Sequence, residues 1–315
     1  MPLVTPRTIP LAPGLLERLR LMVLYVFTYL TLRPVLGPPL PILWQRRLLA
    51  LAGMCLPASK AVAYRSLSLG GVPCEEVTGI RVDISRVILY LHGGAFLVGS
   101  PVSHRPLTAP LALETSARVL VADYRLEPEH PYPAALDDCL AAYEALLAQG
   151  VPATGIVIAG DSAGGALSVM LALRLKRLGR PQPAGLLLIS PVTGVSLDSP
   201  SHWRYRYSDP MLRPRCLAAV STIMNKAQHP DERTPFRADL TGLPPMLIQV
   251  GRIEALLDDS CELAQQAQRC GVPVQLEICA GLWHVSQLYG AYLASARTSV
   301  SRLAQSVLEM TESAR

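Results

Sequence analysis

The chain of 315 residues is 50% hydrophobic and 17% charged, which excludes a disordered chain and leaves room for one large core. Its formal net charge of +5 comes from scattered basic residues with no run of five or six, so we expect no nucleic-acid partner. Seven cysteines without a C-x-x-C pair argue against a zinc site or a disulfide framework. This cysteine usage fits a reducing cytoplasm, where we expect the protein to reside.

The first predicted element is an amphipathic helix over about residues 14–33. Its uncharged stretch, residues 21–32, has 12 residues, whereas a membrane-spanning helix needs roughly 20. We expect its apolar face to roof a substrate cleft, with Glu17, Arg18 and Arg20 held toward water. The same face would also suit a lipid interface, so contact with a membrane surface stays open as an alternative. The apolar positions at helical spacing are residues 15, 19, 22, 23, 26, 27 and 30.

From residue 64 the pattern changes, and apolar runs come to alternate with longer amphipathic stretches. A hairpin turning at Gly70 and Gly71 comes first. Strands buried on both faces and separated by helices then predict an α/β fold with a mostly parallel, doubly wound sheet and helices on both faces. We therefore divide the chain into an N-terminal helical cap, 1–60, and an α/β domain, 61–315, with a cap-like insertion at about 196–240. The predicted strands are 87–91, 119–122, 156–159, 186–189, 246–250 and 274–279, and the predicted helices are about 105–116, 133–149, 163–179, 258–270 and 285–310.

One of these strand ends carries a serine between glycines. Gly160-Asp161-Ser162-Ala163-Gly164 follows the strand at 156–159 and opens the next helix. This is the G-x-S-x-G pattern of a nucleophile elbow, in which a sharp turn exposes the serine and larger flanking side chains would collide with strand and helix. A glycine-rich turn without a catalytic role is the alternative, but the position between a strand and a helix favours Ser162 as a nucleophile.

A nucleophilic serine needs a base, and in the elbow-containing hydrolases the histidine comes last along the chain. His202, His229 and His284 follow Ser162 in the sequence. The first two lie in the irregular insertion, where a surface or cap histidine is the simpler interpretation. His284 follows the last predicted strand, so we predict it to be the catalytic base.

The acid that orients this histidine should follow the preceding strand, 246–250. Glu254, Asp258 and Asp259 are the candidates there. Both aspartates stand where a helix is predicted to begin and suit capping. Glu254 lies in the loop itself and is the predicted acid, with Asp258 as the alternative.

The sequence also offers backbone donors for a developing oxyanion. His92-Gly93-Gly94 follows the strand at 87–91, and glycines allow backbone N–H groups to approach a carbonyl oxygen. Together with the N–H of Ala163, we predict that Gly93 and Gly94 form the oxyanion hole. His92 precedes the serine and is predicted to brace the loop by hydrogen bonding.

Together these motifs resemble the hormone-sensitive-lipase-like branch of the α/β-hydrolases, bacterial carboxylesterases in particular. The resemblance spans roughly residues 64–310. It implies the α/β-hydrolase fold, hydrolysis of short- to medium-chain acyl esters without a cofactor or metal, and an N-terminal cap over the site. Ala95 stands where the family more often has a third glycine, and Glu254 where it more often has aspartate. The motifs are HGGAF (92–96), DYRLEPEHPYPAALDD (123–138), GDSAGG (160–165) and LPPMLIQVGRIEALLDD (243–259).

The same three catalytic groups would also serve a lactonase, an amidase or an acyltransferase. A non-catalytic receptor for a small ligand on the same fold is a further alternative, although Ser162, Glu254 and His284 are all present. The physiological substrate, expected to be a small-molecule ester, is left open, as is a homodimer.

Overall fold

The computed structural model describes residues 4–55, 59–194 and 199–313. Within them, nine strands form one sheet in the order β1-β9-β8-β7-β6-β4-β5-β3-β2. Neighbouring strands are parallel except for the antiparallel pairs β2–β3 and β3–β5. The predicted mostly parallel sheet is therefore correct. The strands are β1 (Arg7–Ile9), β2 (Ala63–Leu69), β3 (Val72–Thr78), β4 (Asp83–Leu91), β5 (Ala117–Ala122), β6 (Ile156–Asp161), β7 (Gly185–Ile189), β8 (Met246–Gly251) and β9 (Val274–Cys279).

Helices cover both faces of this sheet and bury two apolar cores. Leu136, Ala166 and Leu263 belong to the core on one face, and Leu107 and Leu303 to the core on the other. Burial of both faces explains why the central strands are continuously apolar rather than alternating. The helices are α1 (Leu15–Val35), α2 (Ile42–Cys55), α3 (Pro101–Thr115), α4 (Ala134–Ala148), α5 (Ala163–Arg177), α6 (Pro200–Arg204), α7 (Pro214–Met224), α8 (Pro230–Arg233), α9 (Leu257–Arg269) and α10 (Ala294–Ser313).

Several elements differ from the sequence prediction, and three of the differences have a clear local reason. Strand β1 was not predicted, because three residues are too few to show a period of two. Helix α3 begins four residues early, at Pro101, where Ser100 and Ser103 form a capping box. Helix α10 begins at Ala294 rather than at 285, since a short 3₁₀ helix, Ser286–Tyr289, precedes it.

The predicted insertion at 196–240 contains α6, α7, α8 and a short 3₁₀ helix. Its first residues, 196–198, lie outside the described residues. Residues 1–60 contain β1, α1 and α2. Strand β1 pairs in parallel with β9, so the N-terminal segment is part of the sheet as well as of the helical layer above it.

The predicted orientation of the N-terminal helix was wrong. Leu21, Leu24 and Tyr25 of α1 pack against the protein, near the buried Trp283. The apolar positions that were expected to face inward point to solvent instead. The helical period of the pattern was right, but α1 has apolar residues on two faces, and the face that packs inward is the one that carries Leu21, Leu24 and Tyr25. The exposed large apolar side chains on α1 are those of Leu15, Leu16, Leu19, Met22, Val23, Val26, Phe27 and Leu30.

Glu17 was also expected in water, but it is buried. Its carboxylate accepts hydrogen bonds from the backbone N–H of Ala294 (3.2 Å), the N–H of Ser295 (2.8 Å) and the Ser295 hydroxyl (2.7 Å). Burial raises the pKa of Glu17, but these hydrogen bonds outweigh it and the pKa ends below its ordinary value. A carboxylate at the N-terminus of α10 accepts hydrogen bonds from N–H groups that have no partner within the helix, and its negative charge interacts favourably with the helix dipole. Glu17 thereby attaches α1 to the last helix.

Among the helices that the structure describes, none is long and apolar enough to cross a membrane.

Candidate active site

Ser162 lies at the sharp turn between β6 and α5. Its backbone has φ 53° and ψ −119°, a conformation that a residue with a side chain rarely adopts. The turn is held because the Ser162 N–H donates to the carbonyl oxygen of Ile189 at 2.8 Å. A side chain at Gly164 would overlap the carbonyl oxygen of Leu91, and one at Gly160 would meet the backbone of Gly164. The two glycines are therefore required by close approach, as the sequence motif predicted.

His284 and Glu254 meet on the two neighbouring loops that follow β9 and β8. The His284 Nδ1 atom lies 3.2 Å from Glu254 Oε1, and both side chains are buried. The other carboxylate oxygen of Glu254 accepts hydrogen bonds from the Ser190 hydroxyl (2.9 Å) and the Gly251 N–H (2.7 Å). These bonds fix the carboxylate in place. Ser162 and His284 line the same cavity.

The other candidate acids are engaged elsewhere. Asp258 accepts a hydrogen bond from the Ser201 N–H at 2.7 Å, at the start of α6. Asp259 lies 2.7 Å from Nε2 of His202, and both are buried. His229 is exposed just before α8. Of the candidate acids considered in the sequence, Glu254 is the one that the structure places beside His284.

Asp209 is a buried carboxylate near this pair that the sequence analysis missed. It accepts hydrogen bonds at 2.8 Å from the N–H groups of Met211, Leu212 and Ala255. The last of these bonds connects the insertion to the residue after Glu254. Burial raises the pKa of Asp209. Asp209 stands in an irregular segment, so no periodic pattern or motif singled it out.

The electrostatic surroundings of His284 favour its protonated form. Burial lowers the pKa of His284, but the hydrogen bond that His284 donates to Glu254 and the charges of Glu254, Asp209 and Asp161 outweigh burial. The pKa of His284 therefore ends above its ordinary value of 6.5. A histidine in such a setting stabilises the positive charge that it gains on accepting a proton.

This raised pKa predicts a pH profile. If His284 must be neutral to accept a proton, kcat/KM should fall on the acid side about tenfold per pH unit, with a midpoint above 6.5. Glu254→Gln removes the main group that raises the pKa, so the midpoint should move to lower pH. The measurement is kcat/KM for a non-ionising ester from about pH 5 to about pH 9. A midpoint that does not move in the variant would contradict the assignment of Glu254 as the partner of His284.

The predicted role of Gly93 needs correction. Its N–H donates to Asp161 Oδ1 at 3.0 Å and is therefore not free to bind a substrate oxygen. The chain then turns with positive φ at Gly94 (124°) and Ala95 (59°). Among the described residues, no acceptor binds the N–H of either Gly94 or Ala95. The N–H groups of this loop without an acceptor among the described residues thus lie one residue further along than the pair named in the sequence analysis.

Asp161 connects the elbow to this loop through a buried polar cluster. It accepts a hydrogen bond from the Tyr90 hydroxyl at 2.7 Å, and Nε2 of His104 lies 3.3 Å from the same oxygen. Burial raises the pKa of Asp161, but His104 and these hydrogen bonds outweigh it and lower the pKa. Asp161 thus stays ionised and holds the Gly93 N–H.

His92 braces the same loop, in the manner that the sequence predicted. Its Nδ1 lies 2.8 Å from the carbonyl oxygen of Gly93, and its ring stacks on Tyr124 with centroids 4.3 Å apart. Burial, with a contribution from the charge of His104, lowers the pKa of His92 to about 4. His92 is therefore neutral at physiological pH.

The cavity above Ser162 is about 150 Å³ in volume and is mainly apolar. Two parts of the chain outside the central sheet line it. Helices α1 and α2 with their connection contribute Leu32, Leu36, Leu49 and Ala52, and the insertion contributes Met211, Leu212, Cys216, Leu217, Ala219 and Val220. Such a lining suits an aliphatic chain beside the polar groups of the site.

Across residues 4–55, 59–194 and 199–313, no three His, Cys, Asp or Glu side chains are grouped so that they could hold a metal ion.

Comparison with known proteins agrees with this geometry. A sequence model for the family described as alpha/beta hydrolase fold matches residues 88–288. An esterase of Acinetobacter venetianus is 37% identical over 252 residues, which are 79% of this chain and 83% of the relative. An acetyl-hydrolase of Streptomyces hygroscopicus is 39% identical over 237 residues, 74% of this chain and 79% of the relative. The crystal structure of a hormone-sensitive lipase from a metagenome library superimposes with a TM-score of 0.87 and 37% identity, covering 94% of this chain and 98% of that one.

The fold and these matches define an α/β-hydrolase. The chain belongs to the hormone-sensitive-lipase-like branch of that family, and it is a hydrolase of the carboxylesterase and lipase type.

Proposed function

We propose that the protein hydrolyses short- to medium-chain acyl esters with Ser162 as nucleophile, His284 as base and Glu254 as the orienting acid. The observation that carries the proposal is the buried contact of 3.2 Å between Glu254 and His284, since His284 lines the same cavity as Ser162. The names of the relatives, esterase and acetyl-hydrolase, support the reaction class.

The reaction would proceed in two steps. Ser162 Oγ attacks the ester carbonyl carbon while His284 accepts its proton, and the same proton then passes to the departing alcohol. Water then attacks the carbonyl carbon of the acyl-serine while His284 accepts a proton from it, and His284 returns this proton to Ser162 Oγ as the Oγ–C bond breaks and the carboxylic acid is released. Glu254 holds the ring of His284 and stabilises the positive charge that appears on it in each step.

For the oxyanion hole we propose the backbone N–H groups of Gly94, Ala95 and Ala163. Engagement of the Gly93 N–H by Asp161 supports the move by one residue along the loop. Only a backbone group is needed at position 95, so alanine in place of a third glycine is compatible with this role.

We also propose that residues 1–60 act as a substrate cap, with the insertion forming the facing wall. Leu32 and Leu36 at the end of α1 line the cavity together with residues of α7. Arg46 on α2 supports this arrangement, because its guanidinium donates to the carbonyl oxygens of Leu97 (2.8 Å) and Glu127 (2.7 Å) and so attaches the cap to the oxyanion loop.

The test is a series of p-nitrophenyl esters of increasing acyl length, measured as kcat/KM. Leu36→Trp should narrow the cavity and lower kcat/KM for the longer chains by about tenfold or more, while Leu36→Ala should shift the preference toward longer chains. Leu178→Ala, at an exposed leucine outside the cavity, is the matched control.

Two outcomes would contradict the proposal. An unchanged chain-length profile in both Leu36 variants would mean that residues 1–60 do not bound the substrate. Turnover of lactones or amides but of no acyl ester would favour the alternative chemistries that use the same three side chains.

A further inference from the structure

Helices α1 and α2 leave a continuous apolar surface exposed. Most of its large side chains are more than half exposed, for example Leu30 at 67%, Phe27 at 54% and Trp44 at 54%. Soluble monomers rarely expose an apolar patch of this kind without a function. We define the outer cap face as the exposed apolar residues Leu15, Leu16, Leu19, Met22, Val23, Val26, Phe27 and Leu30 of α1 with Leu43, Trp44, Leu48 and Leu51 of α2.

The orientation of α1 is fixed by polar contacts on its inner side. Glu17 binds the start of α10, and the Thr28 hydroxyl lies 2.7 Å from the hydroxyl of Tyr289. Arg33 donates to the carbonyl oxygens of Asp209 (2.9 Å) and Arg206 (2.8 Å). Rolling the apolar stripe inward would break all of these contacts. The outer cap face is therefore a property of the folded protein.

The charge around this face is strongly one-sided. Of the 29 basic and 24 acidic residues of the chain, seven basic residues and one acidic residue lie in residues 1–60. The single acidic residue is Glu17, which is buried under α10. The net positive charge of the whole protein, +5, thus comes from this segment. Arg18, Arg20 and Arg47 are exposed on the two helices that carry the outer cap face.

A groove opens between the same two helices. It is apolar, has a volume of about 500 Å³ and is lined by Val23, Phe27 and Leu48 of the outer cap face and by Tyr292. Leu32 and Ala52 line both this groove and the cavity above Ser162. The outer cap face is therefore adjacent, through two side chains, to the cavity above Ser162.

We propose that the outer cap face docks onto an anionic lipid surface. Apolar and aromatic side chains flanked by arginines, without an exposed carboxylate in the segment, match the chemistry of an interface between acyl chains and anionic headgroups. The helices lie on the surface in this arrangement and do not span it. Docking brings the mouth of the groove to the lipid, beside the cavity above Ser162.

The test is cosedimentation of the intact protein with vesicles. We expect binding to vesicles that contain phosphatidylglycerol, little binding to vesicles of pure phosphatidylcholine, and weaker binding at about 1 M salt than at about 0.1 M salt. Each arginine near an anionic surface contributes a factor of about five in affinity, so Arg18→Glu with Arg20→Glu should weaken binding at least about 25-fold. Met22→Asp with Val26→Asp should abolish binding, because the variant loses apolar side chains that would enter the lipid and gains two negative charges.

Matched controls lie elsewhere on the surface. Ile80 and Ile84 are exposed outside the outer cap face, and Arg269 is an exposed arginine at the end of α9. Ile80→Asp with Ile84→Asp, and separately Arg269→Glu, should bind vesicles like the unaltered protein. All variants should hydrolyse a water-soluble acetyl ester at the unaltered rate, because none of these residues lines the cavity; this also shows that they are folded.

Three results would overturn the proposal: no binding to either vesicle type, equal binding to both types, or binding that the outer-cap-face variants do not weaken. The remaining occupant of such a face is a second copy of the chain. Light scattering distinguishes this case by measuring the oligomeric state. If the unaltered protein is a dimer, the variant Met22→Asp with Val26→Asp is a monomer, and neither binds vesicles, the face serves self-association instead.

Discussion

Replacing Ser162 by alanine is expected to lower kcat by about 10⁵-fold to 10⁶-fold. The Ser162 hydroxyl oxygen is the atom proposed to form the bond to the acyl carbon. The side chains of a catalytic triad act as a unit, so the residual rate would come from binding and from the oxyanion donors alone. Steady-state kinetics on a p-nitrophenyl ester would measure the loss.

Covalent labelling gives a second, independent result for the same residue. A fluorophosphonate should form one adduct, on Ser162, and none in the alanine variant. Ser168→Ala is a matched control, because Ser168 lies on the same helix and its hydroxyl donates to the Gly164 carbonyl oxygen (2.8 Å) away from the cavity. Labelling of another residue, or activity retained in Ser162→Ala, would refute the proposed nucleophile.

Glu254→Gln should have the second-largest effect, a fall in kcat of about 10⁴-fold with little change in KM. Glutamine keeps the size of the side chain, but it lacks the negative charge that stabilises protonated His284 and cannot enforce the required tautomer. The stabilised charge exists only in the transition state, so substrate binding should be nearly unaffected. Kinetics under saturating and limiting substrate would separate kcat from KM.

Two aspartates serve as controls for this assignment. Asp258→Asn should change kcat only mildly, because Asp258 binds the N–H of Ser201 at the start of α6. Asp209 is buried and near His284, so Asp209→Asn tests the other carboxylate of the site. A severe loss in either variant with a mild loss in Glu254→Gln would transfer the acid role to that aspartate.

The parts of this protein that could be predicted from its sequence are those governed by local geometry. Strand β6, the Ser162 turn and its glycines form one continuous segment, so their pattern carried the conformation. The loops with Glu254 and His284 follow strands, and parallel strands bring such loops to one edge of the sheet. The order Ser162, Glu254, His284 along the chain then indicated which residues of these loops to combine into one candidate site.

The parts that could not be predicted depend on partners distant in the sequence. The spacing of apolar residues predicted that α1 is a helix, but which of its apolar faces packs inward depends on contacts with Trp283 and Tyr289. Gly93 was predicted to form part of the oxyanion hole because glycine lets a backbone N–H approach a carbonyl oxygen, whereas in the fold this N–H donates to the carboxylate of Asp161. Asp209 stands in an irregular segment, where no repeat marks a functional residue.

The short strand β1 determines what happens to this protein when its N-terminus is removed. β1 is the outermost strand and pairs with β9 from Glu277 to Cys279. Without it, the backbone N–H and C=O groups of β9 would form an open sheet edge, ready to pair with another molecule. A truncated form would thus be prone to aggregate whatever the cap contributes to catalysis. Point substitutions on α1 and α2 separate the two effects, and proteolytic clipping near residue 10 would be a route to inactivation through insolubility.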